Sequence, residues 1–293
     1  MDLYRTHFKP HPLFLTINQR AHSDPTFAEV LKFLQDGVVN DAVVSFVTRR
    51  AFQNLEEDEK DDFIKRGTLL CAIKKDYARW NHDRSLECEE RIFVESVTEP
   101  PSSRSAPTTA ARGLPPHLLL GINQKVMLTQ NICVDLGLVN GAVGTVKGII
   151  FINADDVFPQ VLVKFDGYLG GAMPSLQNHA DLFAMGSVQN KFKYKGVDSK
   201  RTMLPLVAAS AMSIHKSQGQ TLGKVVVNLG KNEFATGLTY TGITRVRTEA
   251  DIAFHPVPTR ERLLKAVKRT GFQELLKDNR TSYARFQAGP QED

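Results

Sequence analysis

Residues 204–222 read Leu204-Pro-Leu-Val-Ala-Ala-Ser-Ala-Met-Ser-Ile214-His-Lys-Ser-Gln-Gly-Gln-Thr-Leu222, and residues 237–247 read Gly237-Leu-Thr-Tyr-Thr-Gly-Ile-Thr-Arg245-Val-Arg247. The apolar run from Leu204 to Ile214 predicts a buried strand that opens into a polar loop, His215 to Thr221. A second apolar run, Lys224 to Leu229, predicts the next strand, and the second stretch predicts a helix that ends at Arg245. Strand, loop, strand and helix in this order are the grammar of an α/β sheet. The loops at strand ends are where open α/β sheets bind their ligands.

Outward from this stretch the pattern continues. Phe14 to Ile17 reads as a short strand. Ser23-Asp24-Pro25 then starts a helix, with a capping side chain followed by proline in the first turn. Phe27, Val30, Leu31 and Leu34 give that helix its apolar face, and Gly37 stops it. A helix is expected over Glu56 to Lys65, a buried strand over Thr68 to Ile73, and a helix over Lys75 to Glu89, with Tyr77 and Trp80 read as core or helix-packing residues in preference to base stackers. Residues 100–113, rich in proline and serine, read as an exposed mobile loop. Beyond it lie strand patterns at Lys125 to Thr129 and Val161 to Phe165, and an Asn140-Gly141 turn before another strand. The alternation Lys191-Phe-Lys-Tyr-Lys195 admits a strand that stacks on single-stranded nucleic acid. Its period of two is equally met by rings in a core and lysines in water. One helix, Arg260 to Leu276, is expected near the end. The expected fold is α/β. A parallel-sheet domain covers residues 1–138 and 201–293, and short strands with glycine turns form a small inserted β-barrel over 139–200.

The 293 residues carry a net charge of +5, with 42% hydrophobic and 24% charged residues. That composition supports a packed core and argues against global disorder. The mild cationic excess suits a polyanionic partner. Cys71, Cys88 and Cys133 are scattered and odd in number, so they make neither a disulfide framework nor a zinc spacing. The histidines show no ligand spacing, and no metal site is expected. There is no run of 18 apolar residues, so no membrane span is expected. The N-terminus lacks an apolar signal region, and the expectation is an intracellular, non-secreted protein.

Four blocks, in order, resemble the C-terminal half of the petite-integration-frequency (PIF) type of superfamily-1 DNA helicase, the RecD-like branch. They are Leu15 to Ala21; Leu114 to His117 through Val126-Met-Leu128, with Gly137 to Gly141; Ile214 to Leu222; and Gly237 to Arg247. The resemblance implies a second RecA-like domain with an inserted Src-homology-3-like barrel. In the complete enzyme it implies ATP- and Mg²⁺-dependent unwinding of DNA, in processes such as repair, recombination and telomere maintenance. The implied partners are single-stranded DNA or duplex–single-strand junctions, and the implied compartment is a nucleus or mitochondrion if the source is eukaryotic. The family's first RecA-like domain holds the phosphate loop and the magnesium-binding carboxylates. No Gly-x-x-x-x-Gly-Lys-Ser/Thr occurs in these residues. The chain alone is therefore expected to bind neither ATP nor Mg²⁺ and to lack ATPase activity. The alternative is a non-catalytic remnant or a DNA-binding module.

The resemblance assigns Arg20 and Arg245 to the γ-phosphate of ATP, a role that suits a permanently charged, bidentate guanidinium. It assigns Gln218 and Gly219 to the nucleotide, and His215, Lys216, Ser217 and Thr221 to DNA, with Arg247 a weaker candidate. The residues alone also admit two structural arginines bridged to Asp24 or Glu249, and an ordinary polar turn at Gln218-Gly219.

Overall fold

The computed structural model describes residues 19–88, 90–171, 181–233 and 235–288. The strand expected over Phe14 to Ile17 lies outside them. In chain order the elements begin with α1 (Pro25–Gln35), α2 (Asp41–Arg49), α3 (Glu57–Arg66), β1 (Thr68–Cys71) and α4 (Lys74–Leu86). Next come β2 (Arg91–Glu95), β3 (Val97–Glu99), β4 (His117–Gly121), β5 (Lys125–Leu128), β6 (Val143–Ile150) and β7 (Gln160–Phe165). Then follow β8 (Phe183–Met185), β9 (Val188–Tyr194), β10 (Val197–Met203), β11 (Leu206–Ala208), β12 (Ala211–Ser213) and β13 (Val225–Asn228). The chain closes with α5 (Leu238–Ile243), β14 (Ile252–Phe254), α6 (Arg260–Val267) and α7 (Thr270–Ala288). These elements fall into two compact units, one of residues up to Lys74 and from Met212 onward, the other of Lys75–Ala211.

The first unit is built on a four-stranded sheet in the order β12-β1-β13-β14. β1 and β14 both run parallel to β13, with Thr68 opposite Val225 and Val225 opposite Ile252. Asp24 caps α1 by accepting from the Phe27 amide at 3.0 Å, and Phe27, Val30, Leu31 and Leu34 are buried, as their spacing requires. The sequence reading did not include α2. Asn40 caps it through the Val43 amide at 3.1 Å, and Val43, Phe46 and Val47 supply its buried face. The Phe46 ring joins the two helices to the sheet, 5.6 Å from the Phe27 ring and 5.5 Å from the Phe254 ring. The single C-terminal helix expected over 260–276 is two helices, α6 and α7. Arg269, at the break, donates to the Glu233 carbonyl and pins the turn there.

The second unit holds the antiparallel sheets, β11-β5-β6-β7-β8 with five strands, β3-β10-β9 with three and β2-β4 with two. Its core is aliphatic, with Leu114, Leu120, Val126, Leu128, Val163 and Met203 buried. The strands between 139 and 200 pair beyond that interval: β6 bonds β5, and β10 bonds β3. The contact-defined unit is correspondingly wider than the 139–200 insertion read from turn spacing. In β9 the ring of Phe192 is buried and Lys191 and Lys193 are exposed, the core-and-water arrangement that period two allows.

Three expectations are corrected. The run Leu204 to Ile214 is not one strand. Its first part is β11, in the antiparallel sheet beside β5, and its last part is β12, in the parallel sheet. The chain leaves one unit for the other within the run, so its apolar residues serve two cores. Residues 100–113 are a packed sequence of tight turns, with Ser103, Ala106 and Ala111 buried. Arg201, fully buried, holds them from inside. It donates to the carbonyls of Leu114 at 3.0 Å and Arg104 at 3.0 Å and to Thr98 Oγ1 at 2.9 Å. Trp80 is 42% exposed, and Asn81 and Ser85 form the buried side of α4. Asn81 works as a strand-like partner, exchanging bonds of 2.7 Å with both the N–H and the carbonyl of Ala211.

Candidate nucleotide and nucleic-acid interface

The residues that the resemblance assigns to nucleotide or DNA all belong to the parallel-sheet unit. Beyond β12 the chain forms a 3₁₀ turn over Ile214–Ser217, capped by Ser213 Oγ, which accepts from the Lys216 amide at 3.3 Å. The turn buries Ile214 and Ser217 and leaves His215 and Lys216 exposed. Gly219 follows with φ at +83°, and a Cβ there would meet nothing within 4 Å. The left-handed backbone, not crowding, is what asks for glycine. Gln218 beside it is exposed, and no hydrogen bond of its side chain occurs among the described residues. The ordered part of this loop is pressed from behind by α5, where Gly242 allows the side chains of Ile214 and Val227 to approach to 3.4 Å of its Cβ position.

Arg245 lies just past the end of α5 and is 8% exposed. Its Nε donates to the Thr241 carbonyl at 2.6 Å and its Nη2 to Thr244 Oγ1 at 2.7 Å. Its Nη1 makes two long contacts of 3.4 Å, to the carbonyls of Ser217 and Gln220. The Leu222 amide in turn donates to the Arg245 carbonyl at 2.8 Å. Arg20 reaches the same place from the other end of the chain. Its Nε donates to Thr221 Oγ1 at 3.0 Å and its Nη1 to the Thr244 carbonyl at 2.7 Å. Thr244 thus ties together two arginines 225 positions apart, one through its carbonyl and one through its hydroxyl.

Two guanidinium groups, Arg20 and Arg245, stand close enough to act on one another. No carboxylate pairs with Arg245 among the described residues. Burial, and next the charge of Arg20, push the Arg245 guanidinium below its ordinary value, though not out of its cationic form. Tyr240 stands in both fields: burial raises its phenol, and Arg245 and Arg20 act against that rise. The two carboxylates open as structural partners are engaged elsewhere. Asp24 caps α1 and accepts from the Glu249 amide at 2.9 Å, and Glu249 takes a bidentate pair from Arg49 at 2.6 and 2.9 Å. Arg245 is held by neutral dipoles that fix its direction and leave its charge uncompensated, the chemistry of an anion site.

The structure separates the sequence candidates. Arg20, Thr221 and Arg245 come together, with the Ser217 carbonyl at the edge of the group. Ser217 itself is 0% exposed, and its Oγ donates to the Ile214 carbonyl at 2.7 Å, a turn-forming bond. Thr221 orients Arg20. His215, Lys216, Gln218 and Gly219 form the open rim. Arg247 is exposed. The sequence reading missed Thr241, Thr244 and Tyr240, although they lie four, one and five residues before Arg245 on or beside one short helix. It also missed the ion pair behind that helix: Arg262 to Glu233 at 2.9 Å, with side chains 6% and 3% exposed. Among the described residues no group of three His, Cys, Asp or Glu is arranged to hold a metal ion. No helix among them is long and apolar enough to cross a membrane.

No family model matches the sequence. Individual proteins do. The human protein described as ATP-dependent DNA helicase PIF1 is 30% identical over 226 residues, which is 77% of this chain and 32% of the human protein. The Bdellovibrio bacteriovorus protein described as ATP-dependent DNA helicase Pif1 is 27% identical over 80% of this chain and 48% of its own length. Among solved structures, Pif1 helicase from Candida albicans superposes with a TM-score of 0.67 at 23% identity, over 90% of this chain and 59% of that one. Bacteroides Pif1 in complex with ADP-AlF3 and single-stranded DNA superposes with a TM-score of 0.59 at 19% identity, over 88% and 55%. The fold is therefore shared with these structures: an α/β, RecA-like parallel sheet accompanied by antiparallel sheets. The chain spans about a third of the vertebrate relatives it matches and about half of the bacterial one.

Proposed function

The chain is a partial homologue of the PIF1-type superfamily-1 helicases, and we propose that it is the part of such an enzyme that presents arginines to ATP held on another domain. The observation that carries this reading is the meeting of Arg20 and Arg245 on Thr244 with no carboxylate beside Arg245. In phosphoryl transfer, negative charge spreads over the equatorial oxygens, and guanidinium groups supplied from across a cleft stabilise it. Arg20 and Arg245 take that role. Thr221 and Thr244 aim Arg20, and Thr241 and Thr244 aim Arg245. Tyr240 lies in the same field. ATP and Mg²⁺ belong to the complete enzyme. No residue here is assigned to Mg²⁺, and no phosphate-loop sequence is present to hold the β- and γ-phosphates.

In this reading Gln218 and Gly219 approach the nucleotide, and His215 and Lys216 contact the phosphodiester backbone of single-stranded DNA from the exposed side of the 3₁₀ turn. ATP hydrolysis then drives translocation and unwinding through closure of two domains. The parallel-sheet unit corresponds to a second RecA-like domain, and the antiparallel unit to its insertion.

The test joins this chain to the phosphate-loop domain of a PIF1-type relative and measures DNA-stimulated ATP turnover. The 293-residue chain alone is expected to turn over no ATP. In the fusion, Arg245→Ala is expected to lower turnover by about a thousandfold or more. In the unfused chain, affinity for a fluorescent single strand is expected to fall steeply with salt. Turnover in the fusion that is indifferent to both Arg20→Ala and Arg245→Ala would remove the mechanism. The non-catalytic module would then stand as the better reading.

A further inference from the structure

We propose that the antiparallel unit carries a second, separate site for a nucleoside phosphate, in an open groove of about 840 Å³ between the turns that follow β3 and the outer face of β9 and β10. Its size falls in the range of small-molecule and cofactor sites. Its walls divide into two kinds. Pro100 and Pro101 form an apolar side, and Arg112, Lys191, Lys193 and Lys200 form a cationic one, with the buried Phe192 behind the lysines. A nucleotide has the same two halves, a flat base and a phosphate.

The charge arrangement needs a counter-anion. Lys200 stands directly opposite Lys191 in the β10–β9 ladder, and like charges across a ladder repel. On its other side Lys200 faces Glu99, which takes its ammonium at 2.7 Å. That leaves Lys191, Lys193 and Arg112 with no carboxylate in ion-pair distance among the described residues. Asp198, opposite Lys193, is the second acid on the wall. It is placed to accept from a base amine.

The backbone is shaped for the same purpose. Arg112 has φ at +52°, a conformation uncommon for a residue with a side chain. Such outliers persist only where the surroundings over-determine them, and they gather at ligand sites. Here Asn190 Nδ2 donates to the Arg112 carbonyl at 3.2 Å, and Gly113 N–H bonds the Thr108 carbonyl at 2.8 Å. The buried Arg201 clamps the turns through Arg104 and Leu114, and its guanidinium lies 5.7 Å from the centre of the Phe192 ring. The groove wall is therefore preorganised, which lowers the ordering cost of binding. The site is independent of Arg20, Arg245 and the turn at 214–217, which belong to the other unit.

The experiment uses the 293-residue chain with two photoreactive probes, 8-azido-ATP and a 5′-phosphorylated oligonucleotide carrying 5-bromodeoxyuridine, followed by peptide mapping. Label is expected on peptides spanning 99–112 and 189–200. Labelling by both probes means a free nucleotide suffices; labelling by the oligonucleotide alone means the nucleotide is read within a strand. Either result supports the site. The Lys191→Glu, Lys193→Glu variant is expected to weaken labelling by either probe about tenfold and, for the oligonucleotide, to flatten its dependence on log salt by about two, one per lost phosphate contact. If that variant misfolds by circular dichroism, labelling of the unmodified chain together with Arg112→Gln decides. Label confined to residues 214–222, or absent, overturns this proposal and leaves the reading of Arg20 and Arg245 standing.

Discussion

The Glu233–Arg262 pair sets the position of α5, and its removal can be worked out bond by bond. α5 begins after Gly237, which has no side chain to cap it. Glu233 does the capping from outside. Its Oε1 accepts from the Thr239 amide at 3.0 Å, and its Oε2 accepts from Thr239 Oγ1 at 2.7 Å and from Arg262 Nη2 at 2.9 Å. Arg262 further donates to the carbonyls of Leu229 and Gly230, each at 3.0 Å. A cap contributes about 1 kcal/mol. Breaking a buried pair costs about 3–5 kcal/mol, because the remaining charge loses its partner. Glu233→Ala, which loses both, is expected to destabilise the parallel-sheet unit by about 4–6 kcal/mol, the sum of those two effects. Arg262→Met, which strands the carboxylate but keeps both Thr239 bonds, is expected to cost about 3–5 kcal/mol. Glu233→Ala with Arg262→Met removes both charges, and the double change should cost less than the sum of the two single changes by about 1–3 kcal/mol. Urea unfolding gives the three values. Hydrogen exchange at the Thr239 amide reports the cap directly, and it should quicken in Glu233→Ala and stay slow in Arg262→Met. Additive costs, or single changes that fall within about 1 kcal/mol of the parent, would refute the reasoning.

Two further predictions concern other parts of the chain. Arg201→Met deprives three carbonyls and Thr98 of their donor inside the antiparallel unit and is expected to cost about 3–5 kcal/mol, with exchange at residues 101–114 quickening first; unchanged exchange there would count against the clamp. The Asp62 carboxyl is held below its ordinary value, chiefly by Arg66 and also by Lys224. A depressed carboxyl stabilises the fold above its unfolded value, and that contribution is lost as pH falls through the lowered one. Asp62→Asn should therefore be slightly less stable than the parent near neutral pH and equal to it in strong acid; a difference that persists in acid would assign the effect to packing.

Local information was sufficient for much of the α/β framework. Asp24 before Pro25, with apolar residues at 27, 30, 31 and 34, specified α1, because the cap, the proline and the helical period all act within a dozen residues. The strands at Thr68–Cys71 and Val225–Asn228 were legible as apolar runs, and a run long enough to be buried on both faces suits a parallel sheet. The candidate residues of the polar loop, together with Arg20 and Arg245, were legible through their resemblance to a family pattern. What the sequence could not determine was set by contacts between distant segments. The run Leu204 to Ile214 is uniformly apolar, and only the pairing of β11 with β5 and the placing of β12 in the parallel sheet divide it. Residues 100–113 look like solvent-exposed linker because their fold depends on Arg201, about 90 positions later, filling their carbonyls from within. That the Ser217 hydroxyl bonds the Ile214 carbonyl is also set by the turn and not by the local pattern. The junction of Arg20 with Arg245 at Thr244 is likewise tertiary: the two arginines are 225 positions apart in sequence, and they meet only because the fold brings both to one threonine and occupies Asp24 and Glu249 elsewhere. Short-range patterns report what a segment can bury, whereas the partner that satisfies a buried charge or carbonyl is chosen by the fold.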